Sequence, residues 1–289
     1  SENARETGTG SDARETTEQQ EFRSDDWRLV LINKQNSIPE DYTFQLGTIR
    51  GSMQCDKRIL EDLLAMLEAA EEDGVNLTIC SPYRDLEYQQ MLFNRKIKRY
   101  MNRGMSYMEA YQLSSQAVTV PGASEHQIGL ALDIVCNSYM SLDEAFGDTK
   151  AGKWLAANSC RYGFILRYPK GKEDITGIEY EPWHFRYIGK ENAAAVRALG
   201  ITFEEYIEYL RGFTSETKLL HVPSLSAAKP EDLGSAEFSA LPDSGYVIYF
   251  VPTDENAGTE SVNIPVPAQC RSYFISGSND GGFIVTAEL

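Results

Sequence analysis

Histidine is scarce in this 289-residue chain, three copies in all, and the cysteine pairs that mark a structural zinc knuckle are missing. The five cysteines, Cys55, Cys80, Cys136, Cys160 and Cys270, contain no CxxC spacing, and their odd number leaves at least one outside any intrachain disulfide. Cys80 and Cys136 close apolar runs, VNLTIC and LALDIVC, which reads them as small buried hydrophobes. No stretch of about 18 apolar residues occurs, so no segment is long enough to cross a bilayer as a helix. A charged n-region followed by an apolar h-region is absent too; the chain starts at Ser1, and an export signal or membrane anchor lying upstream is the expectation. Basic residues are in deficit, 27 against 43 acidic ones, for a net charge of -16. A phosphate backbone repels such a surface, which argues against nucleic acid as a partner. The one basic cluster, FNRKIKRYMNR at 93–103, interleaves with Phe93, Ile97, Tyr100 and Met101 at helical spacing and reads as a solvated helix face.

What remains is ample for a globular fold, since 42% of the residues are hydrophobic and the length suits one large domain with a smaller one. Residues 1–26 are rich in Glu, Thr, Ser and Gly with almost no large apolar side chains, and read as a disordered acidic linker. From there WRLVLIN is strand-like, KRILEDLLAMLEAAEEDG is an amphipathic helix stopped near Gly74, and VNLTIC is a strand. Two helices follow, then the Pro- and Gly-bearing loop TVPGASEHQIG, then the strand LALDIV with Asp133 opposite Leu132 and Ile134. KWLAANSCRYG reads as a helix closed by Gly163, and FILRYP with YEPWHFRYIG as a hairpin-like pair of strands. Two short helices end the main domain, 27–212. A Ser, Pro, Ala and Gly-rich linker is expected over 213–244, and a small β-rich module over 245–289.

The chemistry gathers around two of the histidines. His126 sits in PGASEHQIGLALDI and His184 in EPWHFRYIG, while His221 falls in the expected linker. A catalytic zinc takes three nitrogen or oxygen ligands and keeps a fourth position open for water. His126, with Asp133 on one strand and His184 on its neighbour, would supply the three. Glu181, three residues before His184, is placed to accept a proton from that water. Arg84 at a strand end offers a planar, permanently charged fork for a carboxylate or an oxyanion. Tyr83, Trp183 and Tyr187 are candidates to line a peptide groove.

Taken in order, SPYRDLEYQ, PGASEHQIGLALDI, GFILRYP and EPWHFRYIG resemble the signatures of VanY-like D-alanyl-D-alanine carboxypeptidases, over roughly residues 27–210. The resemblance implies an α+β fold shared with VanX-type dipeptidases and the hedgehog signalling domain, a central antiparallel sheet flanked by helices. It implies one zinc ion on His126, Asp133 and His184, Glu181 as general base, and Arg84 stabilising charge on the scissile carbonyl. Ser124 and Gln89 fall on positions that contact substrate in relatives, while Pro82 stands where the family usually has a small residue. The implied reaction removes terminal D-alanine from peptidoglycan stem peptides, in an extracellular or cell-envelope location. An LD-carboxypeptidase acting on tetrapeptide stems, an endopeptidase within the stem, and a non-catalytic zinc-containing wall-binding module are the alternatives left open.

Overall fold

The computed structural model describes residues 15–20, 27–253 and 262–289. The strands are β1 (Glu15–Gln20), β2 (Leu46–Arg50), β3 (Met53–Asp56), β4 (Leu77–Ser81), β5 (Ala131–Cys136), β6 (Phe164–Leu166), β7 (His184–Tyr187), β8 (Leu219–Val222), β9 (Gly234–Ala236), β10 (Tyr246–Pro252), β11 (Val262–Pro267), β12 (Ser272–Gly277) and β13 (Gly282–Glu288). The helices are α1 (Leu60–Glu72), α2 (Leu86–Met101), α3 (Tyr107–Ala117), α4 (Lys150–Asn158), α5 (Glu173–Thr176), α6 (Lys190–Leu199) and α7 (Phe203–Leu210).

The expected central antiparallel sheet is present, in the order β4-β5-β7-β6. Strict alternation along β5 and β7 divides it into two chemically different faces. Leu132, Ile134, Phe185 and Tyr187 bury against α1 and α4, whose Leu63, Met66, Ala70, Ala151 and Leu155 complete that core. Asp133, His184 and Arg186 occupy the other face. Local signals set the helix limits: Asp85 caps α2 through the Tyr88 amide at 2.7 Å, and Ser106 with Glu109 forms a capping box on α3. Gly163, at φ +87°, closes the turn after α4, where a Cβ would lie 2.5 Å from the Tyr187 ring.

Three stretches depart from the sequence reading. The apolar run at 29–32 is no ladder strand, although it alternates like one. It threads between two cores: Leu29 and Leu31 enter the core shared with the C-terminal sheet, while Val30 and Ile32 enter the α1 core. Its amides go elsewhere, Leu29 to Ser276 Oγ at 2.9 Å and Leu31 to the Ser278 carbonyl at 2.8 Å. Within 1–26, residues 15–20 pair with β11, and the remainder of that expected linker lies outside the described residues. Over 213–244, where a linker is expected, β8 and β9 join β10, β12 and β13 in a five-stranded sheet ordered β12-β13-β10-β8-β9. Composition misleads there because strand pairing is non-local and can recruit a Ser- and Pro-rich segment.

The C-terminal sheet therefore has no core of its own. Val247, Ile248, Ile284 and Val285 pack in one cluster with Ala193, Ala194, Phe203 and Ile207 of α6 and α7. All three tryptophans, Trp27, Trp154 and Trp183, pack against the other cluster. Removing the fully buried Ile248 side chain by Ile248→Ala is expected to cost about 2–5 kcal/mol. Because the two cores are joined, the tryptophan fluorescence transition in urea should move to lower denaturant; a transition that stays put would mean the sheet unfolds independently.

Candidate active site

Register brings the ligand candidates together before any side chain is considered. Asp133 on β5 is paired directly with His184 on β7 and with Ser81 on β4. His126 arrives from the short helical turn Glu125–Ile128 that feeds β5. That turn is closed by Gly129 at φ +69°, where a Cβ would meet the Asp56 amide nitrogen at 2.6 Å, so only glycine fits.

The resulting cluster is tight and buried. His126 Nε2 lies 3.3 Å and His184 Nδ1 3.2 Å from Asp133 Oδ1, and one ligand atom from each residue falls within 4.8 Å of the others. Each imidazole is oriented through its far nitrogen. His126 Nδ1 is 3.0 Å from the Pro82 carbonyl, and His184 Nε2 is 3.4 Å from Glu125 Oε2. A far nitrogen that donates its proton outward leaves the near nitrogen free to act as a ligand. Asp133 Oδ1 is buried with no hydrogen bond, while Oδ2 accepts from Arg84 Nη2 at 2.9 Å. Two imidazole nitrogens and an unbonded carboxylate oxygen are a donor set that fits zinc.

Burial and mutual charge perturb every ionisable group of the cluster. Burial opposes charge on His184, yet Asp133 and Glu125 together lift it to about 9. Burial and the Arg84 charge push His126 down to about 4. Burial works against ionised Asp133 as well, but His126, His184 and Arg84 hold it well below the usual carboxylate range. Glu181, with Oε2 3.5 Å from His184 Nδ1, is pushed up to about 8 by burial, which outweighs the attraction of His184 and Arg84.

Behind the cluster lies a network that the sequence reading does not contain. Glu125, fully buried, accepts from Arg167 Nε at 2.7 Å and from Arg186 Nη1 at 2.9 Å, besides its contact with His184. Arg167 also donates to both Glu204 oxygens, at 2.8 and 2.6 Å. The Tyr168 ring packs 4.7 Å from the His184 ring. The available signal was charge where none is expected: a Glu inside the SEH turn and Arg on buried strands.

Other expected site residues divide. Arg84 is fixed by Ser81 Oγ at 2.8 Å and Gln89 Oε1 at 3.2 Å in addition to Asp133. Gln89 is wholly buried and donates to the Thr119 carbonyl at 2.8 Å, so it holds Arg84 and does not face a ligand. Asp85, spent on its cap, forms no ion pair with Arg84. Trp183 lines the cleft with the metal-ligand candidates. Ser124 is buried with its hydroxyl unpartnered. Tyr83 stacks edge-on against Phe44, outside the cleft lining. Tyr187 belongs to the opposite sheet face, where its hydroxyl donates to Asp62 at 2.7 Å and its ring stacks on Trp27. His221 lies on β8 with Nε2 3.0 Å from the Ser244 carbonyl, far in the fold from this cluster. The cleft over the cluster has a volume of about 320 Å3, and Arg95, Lys96 and Arg99 of α2 line it; Arg95 and Arg99 are exposed, as a solvated helix face implies, and that face borders the cleft.

A family model described as VanY, D-alanyl-D-alanine carboxypeptidase, matches residues 52–190. A D-alanyl-D-alanine carboxypeptidase of Enterococcus faecalis (strain ATCC 700802 / V583) is 36% identical over 208 residues, 70% of this chain and 76% of that protein. Among solved structures, a mutant of the vancomycin resistance D,D-pentapeptidase VanY in complex with Zn(II) aligns with TM-score 0.58 and 39% identity, covering 63% of this chain and 99% of that one. The vancomycin resistance D,D-dipeptidase VanXYg, in complex with a D-Ala-D-Ala phosphinate analogue, aligns with TM-score 0.72 and 26% identity, over 95% of this chain and all of the other.

Glu125→Gln tests whether the buried network orients His184. Loss of the charge facing two arginines is expected to cost about 3–5 kcal/mol of stability and to weaken zinc binding about 10–100-fold. Chelator competition on the folded variant, checked by circular dichroism, measures the second effect; unchanged zinc affinity would dismiss the orienting role.

Proposed function

The chain belongs to the VanY family of D-alanyl-D-alanine carboxypeptidases and is a zinc metallopeptidase; from that premise we propose that His126, Asp133 and His184 hold the metal and that Glu181 and Arg84 work on the stem peptide of peptidoglycan. The observation that carries the assignment is the convergence of those three ligand atoms within 4.8 Å, with the Glu181 carboxylate 3.5 Å from one of them.

Zinc in such a set supplies Lewis-acid polarisation and lowers the pKa of a water towards about 7. The remaining work falls to the protein. Glu181 takes a proton from the attacking water as the new C–O bond forms at the penultimate carbonyl, then returns it to the departing amine of D-alanine as the C–N bond breaks. The burial that raises its proton affinity favours holding the proton between the two steps. Arg84, oriented by Ser81, Gln89 and Asp133, presents fixed positive charge to the oxygen that becomes negative. Ser124 and Trp183 are the side chains we assign to substrate contact, Trp183 from the cleft lining and Ser124 from its free buried hydroxyl. Action on the stem peptides of the wall supports an extracellular or cell-envelope location. Among the described residues no helix is long and apolar enough to cross a membrane.

Zinc-loaded protein incubated with a peptide ending in D-Ala-D-Ala should release D-alanine. Glu181→Gln should retain its zinc while kcat drops about 10²–10⁴-fold. Full activity in that variant would remove Glu181 from the mechanism, and release only from tetrapeptides ending in a single D-alanine would redirect the reading to the LD specificity.

A further inference from the structure

One face of α2 is built unlike the rest of this acidic protein. Leu92, Arg95, Lys96 and Arg99, spaced i, i+3, i+4 and i+7, all line the cleft above the His126, Asp133 and His184 cluster. The opposite face, Phe93 and Ile97, packs on Ala110 of α3 and fixes how the helix is rotated. The basic stripe is therefore held towards the site by core packing, not by chance of rotation.

Among the described residues the three cations form no ion pair: no carboxylate comes within 4.0 Å of Arg95, Lys96 or Arg99. Their contacts are weak ones, Arg95 Nη2 to Met91 Sδ at 3.8 Å and Lys96 Nζ 5.6 Å from the Tyr100 ring centroid. Glu179, which also lines the cleft, attracts Lys96 through space without forming an ion pair. Like charges three and four residues apart on a helix repel, so the stripe costs stability, which among the described residues no ion pair offsets. Attraction to the negative C-terminal end of the helix can offset this for Arg99 in the last turn, but not for Arg95 and Lys96 in the middle of α2. In a chain of net charge -16, a cluster of unpaired cations beside the reacting groups concentrates an anionic ligand there.

Resting on the carboxypeptidase reading, we propose that Arg95, Lys96 and Arg99 form a carboxylate-binding subsite for the part of the stem peptide upstream of the scissile bond. The residue it reads is a γ-linked glutamyl unit whose α-carboxylate is free, as opposed to one whose α-carboxyl is amidated. Reach supports this position: an extended peptide advances about 3.3–3.6 Å per residue, and Arg95 and Arg99 are separated by about 6 Å of helix rise. About two substrate residues therefore span the distance the stripe covers. The forked guanidinium groups suit a planar carboxylate and gain little from a neutral carboxamide.

The test is a kinetic comparison of two pentapeptides ending in D-Ala-D-Ala, identical except that the second residue is γ-linked D-glutamate or its α-carboxamide. Zinc-loaded wild-type protein should favour the acid roughly tenfold in kcat/KM, mainly through KM, and the preference should shrink as ionic strength rises. In Arg95→Gln/Arg99→Gln the acid-to-amide ratio should fall to about one. Equal kcat/KM for the two peptides in wild type overturns this inference alone. So does an equal loss on both peptides in the double variant, because the stripe would then be reading the terminal carboxylate they share. No D-alanine release from either peptide overturns the carboxypeptidase reading together with the subsite built on it.

Discussion

The Glu125 carboxylate is the point on which the site hangs. It is shut away from solvent, and an isolated charge there would be prohibitively costly; Arg167 and Arg186 make it tolerable, holding it well below the usual carboxylate range against the penalty of burial. Those arginines in turn need Glu125. Arg186 spends its other donors on the carbonyls of Tyr187, Arg28 and Val30, and Arg167 spends its own on Glu204 at the start of α7. One carboxylate thus joins the turn that bears His126, the strand that bears His184, the segment at 28–30 and the helix that packs under the C-terminal sheet. Such an array is poor evidence of net stability and good evidence of a fixed arrangement, since no member can shift without stranding another charge.

The same logic separates the two carboxylates that face the cleft. Asp133 is surrounded by His126, His184 and Arg84 and stays ionised, as the proposed ligand role requires. For Glu181, a few ångströms away, burial outweighs the attraction of His184, and Asp133 and Glu179 add to it, so the group retains its proton more readily. Divergent proton affinities in adjacent acids suit the division proposed for them, one to hold a metal and one to move a proton. Arg84 takes part on both sides, because the guanidinium that helps keep Asp133 charged also lines the cleft.

Much of this could be read from the chain. His126, Asp133 and His184 stand out because histidine is rare here and because an Asp in LALDIV breaks an apolar strand at a position whose neighbours point the other way. Glu181 followed from its spacing to His184, and the central sheet from the alternation of its strands. Tyr187 could have been excluded by the same alternation, being odd-numbered steps from His184 and so on the opposite face. Gln89 was legible as important but not as a brace for Arg84, because its partner, the Thr119 carbonyl, comes from the end of another helix's loop. The basic stripe was visible as a helical face, yet only the tertiary packing of Phe93 and Ile97 decides what that face looks onto. The strands within 213–244 were hidden for a related reason: β8 is made by its pairing with β10, and local composition carries no trace of that partner.

Precision at the site is a consequence of where its residues are mounted. Asp133 and His184 are on paired inner strands, and Glu181 is tied into the short loop before β7 by its amide to the Tyr168 carbonyl and its carbonyl to the His184 amide, each at 3.1 Å. Arg84 sits on a loop too, but its amide donates to the His126 carbonyl at 3.1 Å, and its three side-chain bonds leave it little freedom. Groups held this way pay their ordering cost on folding, not on binding substrate. The C-terminal sheet contributes to that cost although none of its residues lines the cleft. It closes the core on α6 and α7, α7 carries Glu204, and Glu204 holds Arg167 against Glu125. The β-rich end of the chain is thereby connected to the orientation of His184 by packing and a continuous chain of ion pairs, which gives it a mechanical part in the site.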